Sequence, residues 1–226
     1  MNSKKIAGEK AAEYIKDGMV IGLGTGSTSY YMIEKVGALV KAGMKLKAVA
    51  TSKESEEHAL RLHIPTFDIN EVPTIDLAID GVDEIDNQFN AIKGGGGALF
   101  REKIVASHAK EVIWIMDDGK LVKEIGNFPL PIEILPYGYR YVLEQLEKAS
   151  YLPRIRKKDK EFFLTDNGNY IVDLQLKAPL NTKDIMEHVM NITGVLEVGL
   201  FLNMCDRIVV GRKDHSIKVI ENKYKR

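Results

Sequence analysis

The chain has 226 residues, 45% of them hydrophobic, and its 32 basic residues balance 32 acidic ones. This composition can bury a core, as one large domain or two small ones. Because the formal net charge is zero, no overall basic field attracts nucleic acid or an anionic membrane, and we expect neither as a partner. Cys205 is the only cysteine, which excludes an intramolecular disulfide and a thiolate metal cluster from this chain alone.

The first segment, residues 1–17, is charged and is typical of an amphipathic helix, not of a secretory signal with an apolar centre. No apolar run approaches the roughly 20 residues that a membrane-spanning helix requires. We therefore expect a cytoplasmic globular protein.

Up to about residue 125, short apolar runs alternate with longer helical patterns. Strands are predicted at 19–23, 46–51, 64–68, 75–80 and 112–116, and helices at 27–42, capped by Ser27 or Thr28, and at 53–62. Near-continuous apolar strands separated by helices indicate a parallel sheet covered on both faces. Such a sheet binds ligands beyond the carboxyl ends of its strands.

The pattern changes near residues 128–131. The elements predicted next are a strand through 134, a helix at 139–148, two strands meeting at the Asn-Gly turn of 166–169, a helix at 182–190 and a strand at 195–201. This order predicts a ferredoxin-like α+β domain. Strands at 207–211 and 217–220 would return to the main sheet. The predicted domains are 1–127 with 203–226, and 128–202.

Two of four candidate loops are rich in glycine. Gly22–Thr28 follows a strand and opens a helix, where free amides and the hydroxyls of Ser27 and Thr28 suit a phosphate. Its spacing is neither the dinucleotide fingerprint nor a Walker loop, and a tight turn is the alternative. Lys93–Gly97 contains four consecutive glycines, whose amides can line a pocket while Lys93 opposes developing negative charge.

The other two loops carry charge. Asp80–Asp86 follows an apolar strand, and its acids suit a functional loop, a solvated turn or a divalent-metal site, although the calcium-loop spacing is absent. Lys120 follows another strand and either reaches a ligand or is exposed. Glu102, near the start of the helix after the glycine run, either faces the pocket or is a surface charge that complements the helix dipole.

Taken in this order, six segments resemble type A ribose-5-phosphate isomerases over nearly the whole chain: GLGTGST, DGVDEID, KGGGGALFREK, GKLVKEIGNFPLPIEILP, TDNGNYIVD and TGVLEVGLF. The resemblance implies an α/β fold, with a Rossmann-like open, mostly parallel sheet and a second, smaller α+β (ferredoxin-like) domain. It also implies a cytoplasmic homo-oligomer, a dimer or a tetramer. Two positions depart from the family: Gly97, where alanine is common, and Phe100, where a small hydroxyl residue is common.

The resemblance also implies the site and the reaction. Ribose 5-phosphate and ribulose 5-phosphate would interconvert through an enediolate, with the proton-accepting glutamate at Glu102 and its pKa raised by burial. Lys93 would steady the enediolate, and Asp80 or Asp83 would assist ring opening. The substrate-binding residues would be Thr25, Gly26, Ser27, Thr28, Asp80, Gly81, Val82, Asp83, Lys93, Gly94, Gly95, Gly96 and Lys120. No cofactor is expected, because no electrons leave the sugar, and no metal is needed.

Three other functions are open on the same architecture. A sugar-phosphate sensor of a transcriptional regulator would need a DNA-reading module, for which the chain has no spare length. A nicotinamide dehydrogenase lacks its fingerprint spacing, and a CoA-transferase would form a glutamyl-CoA adduct. The basic cluster of Arg154, Arg156, Lys157, Lys158 and Lys160 is interpreted as a solvated face of the smaller domain.

Overall fold

The computed structural model describes residues 2–223 of the chain. The α-helices are α1 Ser3–Ala12, α2 Ser27–Lys41, α3 Lys53–Arg61, α4 Leu99–His108, α5 Tyr139–Lys148 and α6 Thr182–Met190. The strands are β1 Val20–Leu23, β2 Lys47–Ala50, β3 Ile75–Gly81, β4 Glu84–Ile85, β5 Ala91–Ile92, β6 Ala109–Asp117, β7 Leu130–Ile134, β8 Pro153–Ile155, β9 Lys157–Lys158, β10 Glu161–Phe162, β11 Tyr170–Leu174, β12 Val195–Val198, β13 Leu200–Phe201, β14 Arg207–Gly211 and β15 Ile217–Glu221. Among the described residues, none of the helices combines the length and the apolar character that crossing a bilayer requires.

The chain divides into two compact units. The first unit contains the chain up to Val82, Arg101–Leu121 and the chain from Asn203 onward, and the second contains Asp83–Phe100 and Val122–Leu202. This division differs from the predicted domains at 83–100 and 122–127. These segments join the second unit through backbone hydrogen bonds such as Val122 N–H to Ile85 O, at 2.9 Å. The predicted domain boundaries stay a prediction.

The first unit is built on a six-stranded sheet in the order β15-β14-β6-β3-β1-β2. All neighbouring strands in it are parallel except β15, which runs antiparallel to β14. The apolar runs predicted as strands are buried here, as in Ile21, Leu77 and Ile115. The mostly parallel α/β architecture is therefore confirmed, and the loops that follow β1, β3 and β6 lie at the carboxyl ends of parallel strands.

The second unit contains a four-stranded antiparallel sheet in the order β12-β7-β11-β8. With α5 between β7 and β8, and α6 between β11 and β12, this is the predicted order of a ferredoxin-like unit. Its apolar core includes Ile132, Val172 and, from the helices, Leu146 and Val189. A separate three-stranded sheet, β13-β5-β4, carries the segment that leads into the glycine run.

Four predicted details are wrong or only partly correct. Residues 64–68 are not a strand, since only one isolated bridge, between Thr66 and Ala48, forms there. The first residue of α2 is Ser27 and its N-cap is Gly26, without a side-chain cap. The turn at 166–169 forms, but β10 before it pairs with β9, and only one bridge, Leu164 to Tyr170, closes the expected hairpin.

The fourth detail concerns the strand predicted at 195–201, which is broken at Gly199. Its first part, β12, pairs with β7, whereas its second part, β13, pairs with β5. Gly199 N–H donates to Pro131 O at 2.7 Å, and Gly199 O accepts from Lys93 N–H at 2.9 Å. The chain therefore changes sheets at this residue, and the change fixes the backbone of Lys93.

Candidate active site

The loop between β1 and α2 is held by a group of hydroxyls. Thr25 Oγ1 lies 2.7 Å from Thr51 Oγ1 and 2.8 Å from Ser52 Oγ, and Ser55 Oγ donates to Gly24 O at 2.8 Å. These partners stand at the end of β2 and the start of α3. The hydroxyl of Thr25 thus anchors the loop inside the protein.

The start of α2 is open to an anion. Gly26 and Ser27 are exposed, whereas Thr28 is buried. Amides at the beginning of a helix attract negative charge. Lys4 of α1 donates from Nζ to Ser27 Oγ at 2.9 Å, so an ammonium group stands beside these amides. Exposed amides with an ammonium group beside them are the features that a phosphate site would need.

Asp80 is held at the end of β3 by backbone amides. Its side chain is buried, and Oδ1 accepts hydrogen bonds from Thr25 N–H at 2.9 Å and Gly81 N–H at 2.7 Å. A Cβ added at Gly24 would lie 2.1 Å from Asp80 Oδ1, so only glycine permits this close approach. Val82, two residues further on, is buried.

Asp83 is held in the same manner by the second glycine loop. Its Oδ2 accepts from Gly95 N–H at 2.7 Å, and its own N–H donates to Ile92 O at 3.0 Å. A Cβ at Gly95 would lie 2.5 Å from Asp83 Oδ1. Each of the two glycine loops therefore supplies one backbone N–H that orients one aspartate of the Asp80–Asp83 segment.

The remaining acids of this segment have structural roles. Glu84 is buried, and its Oε2 accepts from the N–H groups of Gly126, Asn127 and Phe128 at 2.7, 3.2 and 3.4 Å. Asp86 closes a turn by accepting from the N–H groups of Gln88 and Asn90. Within residues 2–223, no group of three or more His, Cys, Asp or Glu side chains has the geometry to hold a metal ion. Asp80 and Asp83 are thus the acids of this loop that the two glycine loops orient.

Lys93 is a buried cation at the end of β5. Its side chain is 2% exposed, and Nζ lies 5.5 Å from the centroid of the Phe201 ring. A buried ammonium group is costly unless its charge is used or compensated. The role predicted for Lys93 stays a prediction.

Glu102 is buried, whereas Lys120 is only half-buried. Glu102 lies in the first turn of α4 and is only 6% exposed, so it is not the exposed surface charge that was its alternative. Lys120 ends the 3₁₀ turn Asp118–Lys120 after β6 and is half-buried.

Two residues at these loops were not predicted from the sequence. Lys4 is 23 residues from Ser27 and meets it only through the packing of α1 on α2. Arg156 was assigned to a solvated basic face, and this was wrong. Its guanidinium pairs with Asp173 and donates to Gly94 O. The sequence places Arg156 among four other basic residues, and nothing in that pattern indicates that its guanidinium pairs with an acid.

Comparison with known proteins identifies a family for this chain. The model of the family described as ribose 5-phosphate isomerase A (phosphoriboisomerase A) matches residues 47–215. A ribose-5-phosphate isomerase A from Listeria monocytogenes is 47% identical over 222 residues, which cover 98% of this chain and 99% of that protein.

Solved structures of ribose 5-phosphate isomerases match nearly the whole chain. A ribose 5-phosphate isomerase from Plasmodium falciparum matches with a TM-score of 0.94 and 39% identity, over 98% of this chain and 99% of that one. A D-ribose-5-phosphate isomerase in complex with phospho-erythronic acid matches with a TM-score of 0.92 and 36% identity, over 98% and 100%. This chain therefore belongs to the ribose-5-phosphate isomerase A family, a family of isomerases.

Proposed function

We propose that this chain interconverts ribose 5-phosphate and ribulose 5-phosphate through an enediolate, with Glu102 as the base. Membership of the family supports the isomerase activity and the substrates. The observation that supports the base is the burial of Glu102 in the first turn of α4. A carboxylate removed from bulk water is suited to take and return a proton.

The reaction needs one carboxylate and no oxidant. In the open-chain aldose, Glu102 removes the proton from carbon 2, the electron pair forms the double bond to carbon 1, and the carbonyl oxygen becomes negative. A proton moves from the carbon 2 hydroxyl to that oxygen, and Glu102 returns its proton to carbon 1. The product is the ketose. The sugar is neither oxidised nor reduced overall, so the proposal includes no redox cofactor, and it includes no metal.

Charge that develops on the enediolate requires fixed donors. We assign this task to the buried ammonium of Lys93 and to the amides of Gly94 and Gly96, and Gly95 takes part through its N–H bond to Asp83. Asp80 and Asp83 assist ring opening and hold sugar hydroxyls. Their orientation by the two glycine loops supports this role, because a fixed acceptor costs no reorganisation during the reaction.

The phosphate is assigned to the start of α2. The amides of Gly26, Ser27 and Thr28 and the Ser27 hydroxyl would bind it, with Lys4 as a counter-charge. Thr25 contributes its position in the loop, because its hydroxyl bonds to protein. Gly81, Val82 and Lys120 complete the proposed substrate contacts. Binding at this remote end would hold the reacting carbons in place.

Three wider features belong to the same proposal and are supported by membership of the family. They are a cytoplasmic location, a place in the non-oxidative pentose phosphate pathway, and assembly into a homo-oligomer, either a dimer or a tetramer.

The test is conversion of ribose 5-phosphate by purified protein in the presence of a chelator, with ketose formation and solvent-deuterium incorporation followed together. Glu102→Gln should lower turnover by roughly 10²–10⁴-fold and leave the fold intact. Glu54→Gln is the matched control, since Glu54 is an exposed acid in the first turn of α3, and it should keep wild-type turnover.

Other results would contradict the proposal in distinct ways. Near-wild-type turnover of Glu102→Gln would exclude this residue as the base. Binding of ribose 5-phosphate without conversion would favour a sensor, nicotinamide turnover would favour a dehydrogenase, and a glutamyl-CoA adduct would favour a transferase. Loss of conversion with the chelator, restored by a divalent ion, would overturn the metal-free mechanism.

A further inference from the structure

Arg156, between β8 and β9, forms a hydrogen-bonded link inside the second unit. Its Nε and Nη2 donate to the two carboxylate oxygens of Asp173 on β11. Its Nη1 donates to Gly94 O and to Gly95 O, both at 3.0 Å. The Arg156 side chain is 16% exposed. A guanidinium held by a bidentate pair cannot rotate freely, so the Nη1 group of Arg156 is presented at a fixed point.

The peptide group that joins Gly94 to Gly95 is consequently held at both ends. Its carbonyl accepts from Arg156, and its N–H donates to Asp83 Oδ2 at 2.7 Å. Because a peptide group is planar and trans, these two bonds fix its plane. A cation on the carbonyl side also polarises the group and strengthens the N–H as a donor. Arg156 thereby acts on the carboxylate of Asp83 through a single peptide group.

The next peptide group is oriented by the same residue. Gly95 O accepts from Arg156, so the N–H on the other side of that peptide, which belongs to Gly96, points away from the guanidinium. Two successive amides of the glycine run are thus aimed by one side chain. Glycine has no side chain that could hold these planes by packing. Gly97 N–H also donates to Gly94 O at 2.9 Å, and Arg156 is the side chain that adds to this turn bond.

We propose that Arg156, fixed by Asp173, is a positioning residue of the isomerisation. It sets the direction of the Gly95 and Gly96 amides and, through the first of them, the carboxylate of Asp83. This inference rests on the proposed function, because it concerns a donor assigned to the enediolate, the Gly96 amide, and an acid assigned to ring opening, Asp83. Lysine cannot replace Arg156 fully, since a single ammonium lacks the planar fork that contacts a carboxylate and two carbonyls together.

The experiment compares Arg156→Ala and Arg156→Lys with Arg154→Ala, a control on β8 whose side chain is exposed. For each variant we would measure kcat and KM with ribose 5-phosphate, the thermal midpoint, and the Kd of phospho-erythronic acid, which a related isomerase binds. The carboxylate of that acid carries negative charge at the end that corresponds to the reacting carbons.

Arg156→Ala should lower kcat by about 10–100-fold and weaken the binding of phospho-erythronic acid by a similar factor, with KM changed less than about threefold. Arg156→Lys should lower kcat by about tenfold, and guanidinium ion at millimolar concentration should restore part of the turnover of Arg156→Ala. Arg154→Ala should match the wild type in all four quantities.

A purely structural role predicts the opposite pattern. In that case Arg156→Ala would lower the thermal midpoint and leave kcat per folded molecule unchanged, which would overturn the inference. If Arg156→Ala does not fold, Arg156→Lys decides between the two patterns in the same way. If the wild type does not convert ribose 5-phosphate, the proposed function fails and this inference fails with it. Conversion by the wild type with an unchanged kcat in the variants refutes the inference alone.

Discussion

The contact between Gly24 and Asp80 offers the sharpest test of how the site is built. A Cβ at Gly24 would lie 2.1 Å from Asp80 Oδ1, 2.3 Å from its Cγ and 2.5 Å from its Cα. Ordinary van der Waals contact begins at 3.4 Å. Because Cα is among the atoms that clash, rotating the Asp80 side chain cannot relieve the overlap. In Gly24→Ala the two backbones must move apart by about 1 Å or more.

A displacement of about 1 Å in a reacting group costs on the order of 10²-fold in rate. We therefore predict that Gly24→Ala lowers kcat/KM for ribose 5-phosphate by about that factor. Overpacking should also lower the free energy of unfolding by about 1–3 kcal/mol. The rate is measured by ketose formation, at a temperature where circular dichroism shows the variant to be folded.

The matched control is Gly22→Ala, two residues earlier. Its added Cβ would meet Val105 Cγ1 at 2.6 Å and Ala78 Cβ at 3.0 Å. It should lose a similar free energy of unfolding and keep kcat/KM within about threefold of the wild type. Two results would refute the inference that Gly24 is needed to place Asp80. One is a wild-type kcat/KM in Gly24→Ala, and the other is a loss of kcat/KM in Gly22→Ala equal to that in Gly24→Ala.

Two further predictions concern stability. Gly97 has φ +83°, and a Cβ there would lie 2.4 Å from the Phe163 ring; Gly97→Ala should destabilise the fold by about 1–3 kcal/mol. Adding Phe163→Ala should make the effect of Gly97→Ala smaller in urea unfolding, and additive effects would contradict the steric reason. The hydrogen bond from Lys110, with help from Val20 N–H, lowers the pKa of Asp76, so its stabilisation is present above the unfolded pKa of roughly 3.9 and is lost as pH falls through the folded pKa. Asp76→Asn should cost about 1 kcal/mol at pH 7, with the difference from the wild type shrinking in unfolding curves below about pH 4, and a constant difference would contradict the charge-based reason.

The spacing of apolar residues correctly predicted the elements that depend on contacts within one short segment. Both helices of the second unit, α5 and α6, occur at the predicted residues, since each has an apolar face that repeats at the helical period. The strand predicted at residues 64–68 does not form, and the reason is also a local one. Its apolar run ends in Asp68, which caps a 3₁₀ helix by accepting from Asn70 N–H, so the chain turns before a ladder can form.

Partners that are distant in sequence could not be predicted. The break at Gly199 depends on Pro131 and Lys93, which come from other elements. The role of Arg156 depends on carbonyls 61 and 62 residues away. The sequence marks both glycine loops, but the aspartate that each loop orients becomes visible only in three dimensions.

The carboxylate of Glu84 affects where an added anion can bind in this protein. Three consecutive amides, those of Gly126, Asn127 and Phe128, converge on its Oε2 and form a concave nest. Such nests attract sulfate or phosphate, but here the chain fills the nest with its own acid. An anion soaked into crystals should consequently collect at the start of α2 beside Lys4. Replacing Glu84 by alanine would create a second, artificial anion site that has no part in turnover.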